Sequence, residues 1–551
     1  MNGSRRVSFV GNKARRWCFR LLVIPLSLSP LVLLELACLV CGAGRPDLQV
    51  DPFVGFANRR PLFVKSADGD RYEIAQNRQL CFRPDSFAHP KPPGEFRIFC
   101  LGGSTVQGRP FAIETSFTSW LELSLQAADP NRPWEVVNCG GISYASYRLV
   151  PILEEVLAYE PDLIILYTGH NEFLEDRSYA SLKYQPPWLR RSIALASRLH
   201  SFHLLRNVYR RIAAADRPST SRSVLPEEVR ARLDYDGGLE KYHRDLSWKA
   251  GVASHFQFNL ERMAGMCQAH QVPLWLVDPV SNLQNCPPFK SASGDSLSDS
   301  QRTQWQRLRE EASHSYRPHV LRAIELLEQA AQLDDQHAGV FYDLGKCYLL
   351  TGDFDRARSN FLLAKENDIC PLRITEPLRA AIRTVAERHG LPVIPVYQAF
   401  CEKSRGGIPG DHWMADHVHP SIPGHQFIAE LMMSEFCRQG MVTPTGGWQA
   451  RRDRLFQEQI ARLPENYYVQ GWQRLENLRR WTEGRSTLGP YPNHGLERGR
   501  SSFLGPGDRN DRADRADRAS LRGRWFLSER SFQGEASLTA RLAHCFTRGS
   551  N

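Results

Sequence analysis

Zinc-type cysteine pairs are missing from this sequence. Its 13 cysteines are scattered, no two CxxC pairs are spaced for a metal, and an odd number argues against a complete disulfide framework. No Gly-Lys-Ser/Thr follows the glycine pair Gly102-Gly103, which argues against a phosphate cradle. The basic runs lack interleaved aromatics and match no nucleic-acid reading module, so no nucleic-acid partner is expected. The net charge of +10 gathers near the start and in the last hundred residues, and charged tails say little about a central domain.

What is present is a chain of 551 residues, long enough for a large core and more than one structural unit. Residues 1–20 form a basic segment carrying Arg5, Arg6, Lys13, Arg15, Arg16 and Arg20. Leu21 to Val40 is apolar except for Pro25, Pro30 and Glu35, and 21–42 is expected to be a transmembrane helix. The flanking charge predicts a cytoplasmic N-terminus and an extracytoplasmic remainder. A cleaved signal peptide is the rival, but no clean small-x-small site follows the run. Residues 46–95, rich in proline and with a strand candidate at Arg71–Ile74, read as a stalk or cap.

Strand and helix patterns then alternate. Strands are expected at 97–101, 134–138, 163–168, 273–277 and 392–397, and helices at 115–127, 147–158 and 424–437. That order predicts an α/β fold, a parallel sheet with helices on both faces, over 96–289 and 376–440. A first interruption, about 178–250, contains a basic helical stretch from Trp188 to Ile212. The second, 290–375, carries Ala323-Ile324-Glu325-Leu326-Leu327, Tyr342-Asp343-Leu344-Gly345 and Gly352-Asp353-Phe354-Asp355-Arg356-Ala357. These strings resemble one tetratricopeptide repeat. A single repeat cannot bury its own apolar face, so it is expected to pack on the sheet domain or on a protein partner, and to act as a lid. Helices are expected again in 441–485, and the low-complexity tail 486–551, with its Asp-Arg run, reads as disordered.

Four stretches carry chemistry. The apolar run Phe96–Leu101 ends in Gly102-Gly103-Ser104; the second strand leads into Asn138-Cys139-Gly140; the third leads into Gly169-His170-Asn171-Glu172; and Asp416-His417-Val418-His419 stands near the end of the domain. Three successive strand ends thus offer a hydroxyl, a backbone position free of side chain and a carboxamide, which suits acyl transfer. These stretches resemble blocks I, II, III and V of the SGNH (GDSL-like) hydrolases, with GGST in place of the GDS form and Glu172 where many members carry Asp. The whole chain further resembles bacterial membrane-anchored members of that group with an inserted tetratricopeptide repeat.

The resemblance implies a three-layer, flavodoxin-like sheet and a serine esterase. Ser104 would be the nucleophile, His419 the general base and Asp416 its orienting partner, with an oxyanion hole from the N–H groups of Ser104 and Gly140 and the amide of Asn171. The expected substrate is a small acyl ester, acetyl above all, of a carbohydrate or cell-envelope glycan, with no cofactor and no metal. An O-acetyltransferase using the same triad is the alternative, and a scaffold with a vestigial site is a second. Asp411, His412, Asp416, His417, His419 and His425 crowd into one short segment and raise a zinc or manganese site as the sharpest rival. Neither an HxxxH helical spacing nor a distant acidic partner supports it.

Overall fold

The computed structural model describes residues 60–175, 229–294 except 235–237, and 297–482, together with the short pieces 29–41 except 31, 54–56, 199–205 except 203, and 223–225. The expected cytoplasmic segment, most of the basic stretch Trp188–Ile212 and the tail 486–551 lie outside these residues.

Five parallel strands build the central sheet: β1 Phe96–Gly102, β2 Trp134–Gly140, β3 Leu163–Tyr167, β4 Leu274–Val277 and β5 Val393–Ile394. Their order is β2-β1-β3-β4-β5. Residues alternate between two buried faces, so the strands are apolar throughout rather than every second residue. Ile98 and Cys100 of β1 pack beneath α2 (Phe117–Ala128) and α11 (Ile422–Arg438), whereas Phe99 and Leu101 pack beneath α3 (Ser146–Val156), α4 (Leu246–Ala269) and α9 (Glu376–His389). The last strand is shorter than expected. Pro395 cannot donate to the ladder and instead precedes α10 (Val396–Lys403). Helices α12 (Trp448–Arg462) and α13 (Glu465–Thr482) follow, the former also covering α2.

The open edge of the sheet is closed by side chains. On β2 the N–H groups of Val136, Asn138 and Gly140 donate to Glu122 Oε2, Asp85 Oδ2 and Asn138 Oδ1, at 3.3, 2.7 and 3.0 Å. A row of strand donors is thereby denied to any added strand. Asp85 belongs to the expected cap, where Phe63–Lys65, Arg71–Ile74 and Ser86–Ala88 form a small antiparallel sheet. Phe63, Phe82 and Phe87 of that region are buried in the same core as α3 and α4.

Among its described residues the second insertion holds four helices: α5 Asp299–Ser315, α6 Val320–Leu333, α7 Ala338–Thr351 and α8 Phe354–Glu366. Consecutive helices pair, and they share a core of Trp305, Ile324, Leu327, Leu344 and Phe361. Leu283 and Ile408 of the sheet domain join that core, so the insertion does pack on its host.

Of the expected membrane segment 21–42, residues 29–30 and 32–41 are helical and the rest lies outside the described residues. No helix of the described residues is long and apolar enough to cross a membrane. Glu35 accepts hydrogen bonds from the N–H groups of His200 and Ser201, both at 2.8 Å, and from Ser201 Oγ at 2.6 Å, which joins this helix to the piece at 199–205.

Candidate active site

At the end of β1 the chain turns directly into a four-residue helix, α1 (Ser104–Gln107). Ser104 opens this helix, so its N–H lies in the first turn, where helix geometry supplies no partner. Gly103 lets the neighbouring loop come close: a Cβ there would stand 2.4 Å from Asn171 Nδ2. Asn138 locks α1 down, donating to Val106 O at 2.6 Å and Thr118 Oγ1 at 2.9 Å.

His419 arrives on a loop closed by a bridge between Met414 and Pro420 and by Ala415 N–H donating to His419 O at 2.8 Å. Ser421 then caps α11, its Oγ accepting from Gly424 N at 3.2 Å, with Pro423 in the first turn. Thr105 Oγ1 donates to Val418 O at 3.3 Å and so ties the residues next to Ser104 and His419 together.

Ser104 Oγ lies 2.7 Å from His419 Nε2, and His419 Nδ1 lies 2.6 Å from Asp416 Oδ2. Asp416 Oδ1 accepts from the N–H groups of Val418 and His419 at 2.9 and 2.8 Å. Burial alone would raise the Asp416 carboxyl, but the imidazoles of His419 and His417 and these hydrogen bonds outweigh it and hold the group well below the usual carboxylate range.

Asn171 donates one amide hydrogen to Tyr144 O at 3.0 Å, leaving its second to face the cavity that it lines with Ser104 and His419. Gly140 corrects the expectation. Its N–H is taken by Asn138 Oδ1 at 3.0 Å, it does not line the cavity, and a Cβ would stand 2.2 Å from Gln107 N. Its role is to let α1 pack against β2. The cavity is reached instead by Ser143, three residues on, at the third position of a turn closed by Tyr144 N–H to Gly141 O at 3.2 Å. Ser143 has a φ of 62°, a conformation that ordinarily selects glycine. Its N–H makes no hydrogen bond among the described residues. That positive φ at a serine is a backbone property, and no motif announced it.

The cavity is small, with room for about one small group. Ile142, Leu174, Leu372, Val418 and Leu478 give it apolar walls. Leu372 comes from the segment by which the insertion returns to the sheet, where Ile374 N–H donates to His170 Nδ1 at 3.2 Å. The return segment, not the repeat helices, therefore covers the site. Leu478 belongs to α13, clamped by Arg474 Nη1 donating to Phe111 O at 2.7 Å.

Of the crowded acids and imidazoles around 411–425, Asp416, His417 and His419 stay together, whereas the other three turn to other partners. Asp411 accepts from Asn282 Nδ2 at 2.8 Å, His412 lies against Trp413, and His425 Nδ1 accepts from Phe117 N at 3.2 Å at the start of α2. Among the described residues no three His, Cys, Asp or Glu side chains are grouped to hold a metal ion.

Fold and site together define a three-layer α/β protein with serine, histidine and aspartate in hydrogen-bonded series at the carboxyl end of its sheet. Residues 320–362 match the tetratricopeptide repeat family. No curated protein matches the chain. Solved structures similar to it include a lipase/acylhydrolase from Enterococcus faecalis, at 14% identity and a TM-score of 0.28, covering 64% of this chain and 100% of that one. They also include the acetylxylan esterase Axe2 from Geobacillus stearothermophilus, at 12% identity and 0.28, covering 62% and 93%. A lipolytic protein of the G-D-S-L family from Desulfitobacterium hafniense stands at 10% identity and 0.27, covering 61% and 98%. At such identities and scores the likeness carries no argument about this chain.

Proposed function

We propose that this protein is a serine esterase of the SGNH type that removes small acyl groups, acetyl above all, from a carbohydrate or cell-envelope glycan. It acts outside the cytoplasm, held to the membrane through residues 21–42. The observation that carries the reading is the run of 2.7 and 2.6 Å contacts from Ser104 through His419 to Asp416.

In this reading Ser104 Oγ attacks the ester carbonyl while His419 Nε2 takes its proton. Asp416 keeps the other ring nitrogen protonated and stabilises the imidazolium that forms. The tetrahedral oxygen is met by the N–H groups of Ser104 and Ser143 and the free amide hydrogen of Asn171. His419 then returns the proton to the leaving alcohol, and water releases the acyl group by the same steps in reverse order. The apolar walls and the small cavity suit an acetyl methyl group.

The test is incubation of the purified protein with p-nitrophenyl acetate and with acetylated polysaccharides, beside a Ser104→Ala variant. Acetate release that vanishes in the variant and on serine-directed phosphonylation, and survives chelation, supports the esterase. Full activity of Ser104→Ala would end the reading. Acetate moved to an added sugar acceptor instead of to water would make the protein an O-acetyltransferase with the same residues. In either case the repeat helices present a surface for a protein partner.

A further inference from the structure

Two imidazoles flank the Asp416 carboxylate. His419 takes Oδ2 and is committed to Ser104. His417 Nδ1 stands 3.5 Å from Oδ1, an electrostatic contact and not a hydrogen bond, and its ring makes no hydrogen bond among the described residues. Yet the ring is held in place. Its backbone oxygen accepts from Asn282 N at 3.0 Å, and its edge meets the Phe289 ring at 5.1 Å between centroids. It is only 8% exposed and it lines the same cavity as Ser104.

The negative carboxylate repels a ring lone pair, so the neutral ring favours its hydrogen on Nδ1, which makes Nε2 the nitrogen with the lone pair. Burial presses this imidazole down to about 4, against the pull of Asp416, which keeps it neutral near pH 7. A neutral acceptor beside the nucleophile, with the Ser143 side chain sharing the wall, is matched by a hydroxyl donor.

We infer that His417 is a specificity residue whose Nε2 accepts a hydrogen bond from a hydroxyl carried beside the scissile ester. The site therefore takes acyl esters of polyols, sugars among them, over simple alkyl esters. The inference rests on the esterase reading. A role acting only through Asp416 would affect all esters alike, whereas recognition affects those bearing the hydroxyl.

The experiment compares kcat/KM of the full-length protein for 2-hydroxyethyl acetate and n-propyl acetate, which differ by a hydroxyl in place of a methyl group. Each value is divided by that ester's rate with hydroxide. One neutral hydrogen bond predicts a preference of about tenfold for the hydroxylated ester. In His417→Phe the ratio falls to near one, and in His417→Gln, which keeps an acceptor, part of it survives. A ratio near one in the unaltered protein, or a tenfold ratio that persists in His417→Phe, overturns the inference and leaves the esterase standing. The first arm needs no variant. Cleavage of neither ester, with Ser104 unlabelled by phosphonate, would overturn the esterase reading and the inference with it.

Discussion

The carboxylate of Glu172 accepts both the N–H and the hydroxyl of Ser146, at 2.7 and 3.0 Å. Glu172 is fully buried, Ser146 opens α3, and Asn171 is the residue immediately before Glu172. One acidic side chain thus satisfies a helix start and anchors the loop bearing the carboxamide. Glu172→Ala strands buried donors and should cost on the order of 3 kcal/mol of stability, with a lower kcat as Asn171 loosens. Urea unfolding checks the first part, and a loss under about 1 kcal/mol would contradict it.

Asn171 and Gly140 should fail in different ways. Asn171→Ala removes a donor to the tetrahedral oxygen and should lower kcat about a hundredfold with little change in KM. Gly140→Ala drives a Cβ to 2.2 Å from Gln107 N and should cost folding yield and thermal stability. Ser143→Gly keeps the N–H and relieves the φ of 62°, so stability should hold or rise by up to about 1 kcal/mol. A well-folded Gly140→Ala protein with a hundredfold loss in kcat would restore Gly140 to the oxyanion hole.

Acid should unfold the protein partly through His170. Burial presses its imidazole from 6.5 down to about 3, so between those values the unfolded chain binds a proton that the folded one refuses. Its stabilising share is complete above pH 6.5 and is lost as pH falls toward 3, by about 1.4 kcal/mol per unit. Glu122 and Glu135, raised by burial to about 7, lean the other way, so the difference between proteins is what isolates the group. His170→Gln should flatten the fall in urea stability between pH 6 and 4.5, and parallel curves would refute the assignment.

The neck of the insertion is closed. Ile369 N–H donates to Lys290 O at 2.9 Å, and Asp368 accepts from Phe289 and Lys290 N–H at 2.8 and 3.1 Å. Replacing 297–366 with a short Gly-Ser linker should therefore leave a folded protein that keeps Leu372 at the cavity. Exposure of Leu283 and Ile408 should cost about 2 to 5 kcal/mol, read as a lower Tm. An insoluble product would mean that the repeat helices are needed to fold the sheet.

Much of the frame was legible in the chain. β1, β2 and β3 are continuous apolar runs bounded by turn residues, and each lies within two residues of its expected limits. Helix α4 was not foreseen, because the buried polar residues His255, Asn259 and Arg262 interrupt its apolar spacing. Ser104, Asn171, Asp416 and His419 were legible as short motifs at strand ends. Ser143 was not, since its exposure to the cavity follows from the direction a turn takes, and His417 was legible only as a candidate metal ligand, since its neighbours come from 282 and 289.

By itself the sequence determined the first three strands of the sheet and which side chains carry reactive groups, because periodicity and turn chemistry act over a few residues. Tertiary structure decided which of those groups meet. Ser104 and His419 are 315 positions apart and touch only because α1 and the 414–420 loop share the carboxyl end of one sheet. Whether Gly140 or Ser143 faces the cavity depended on Asn138 claiming the Gly140 N–H, a competition for one donor that is resolved only when β2 becomes the edge of the sheet.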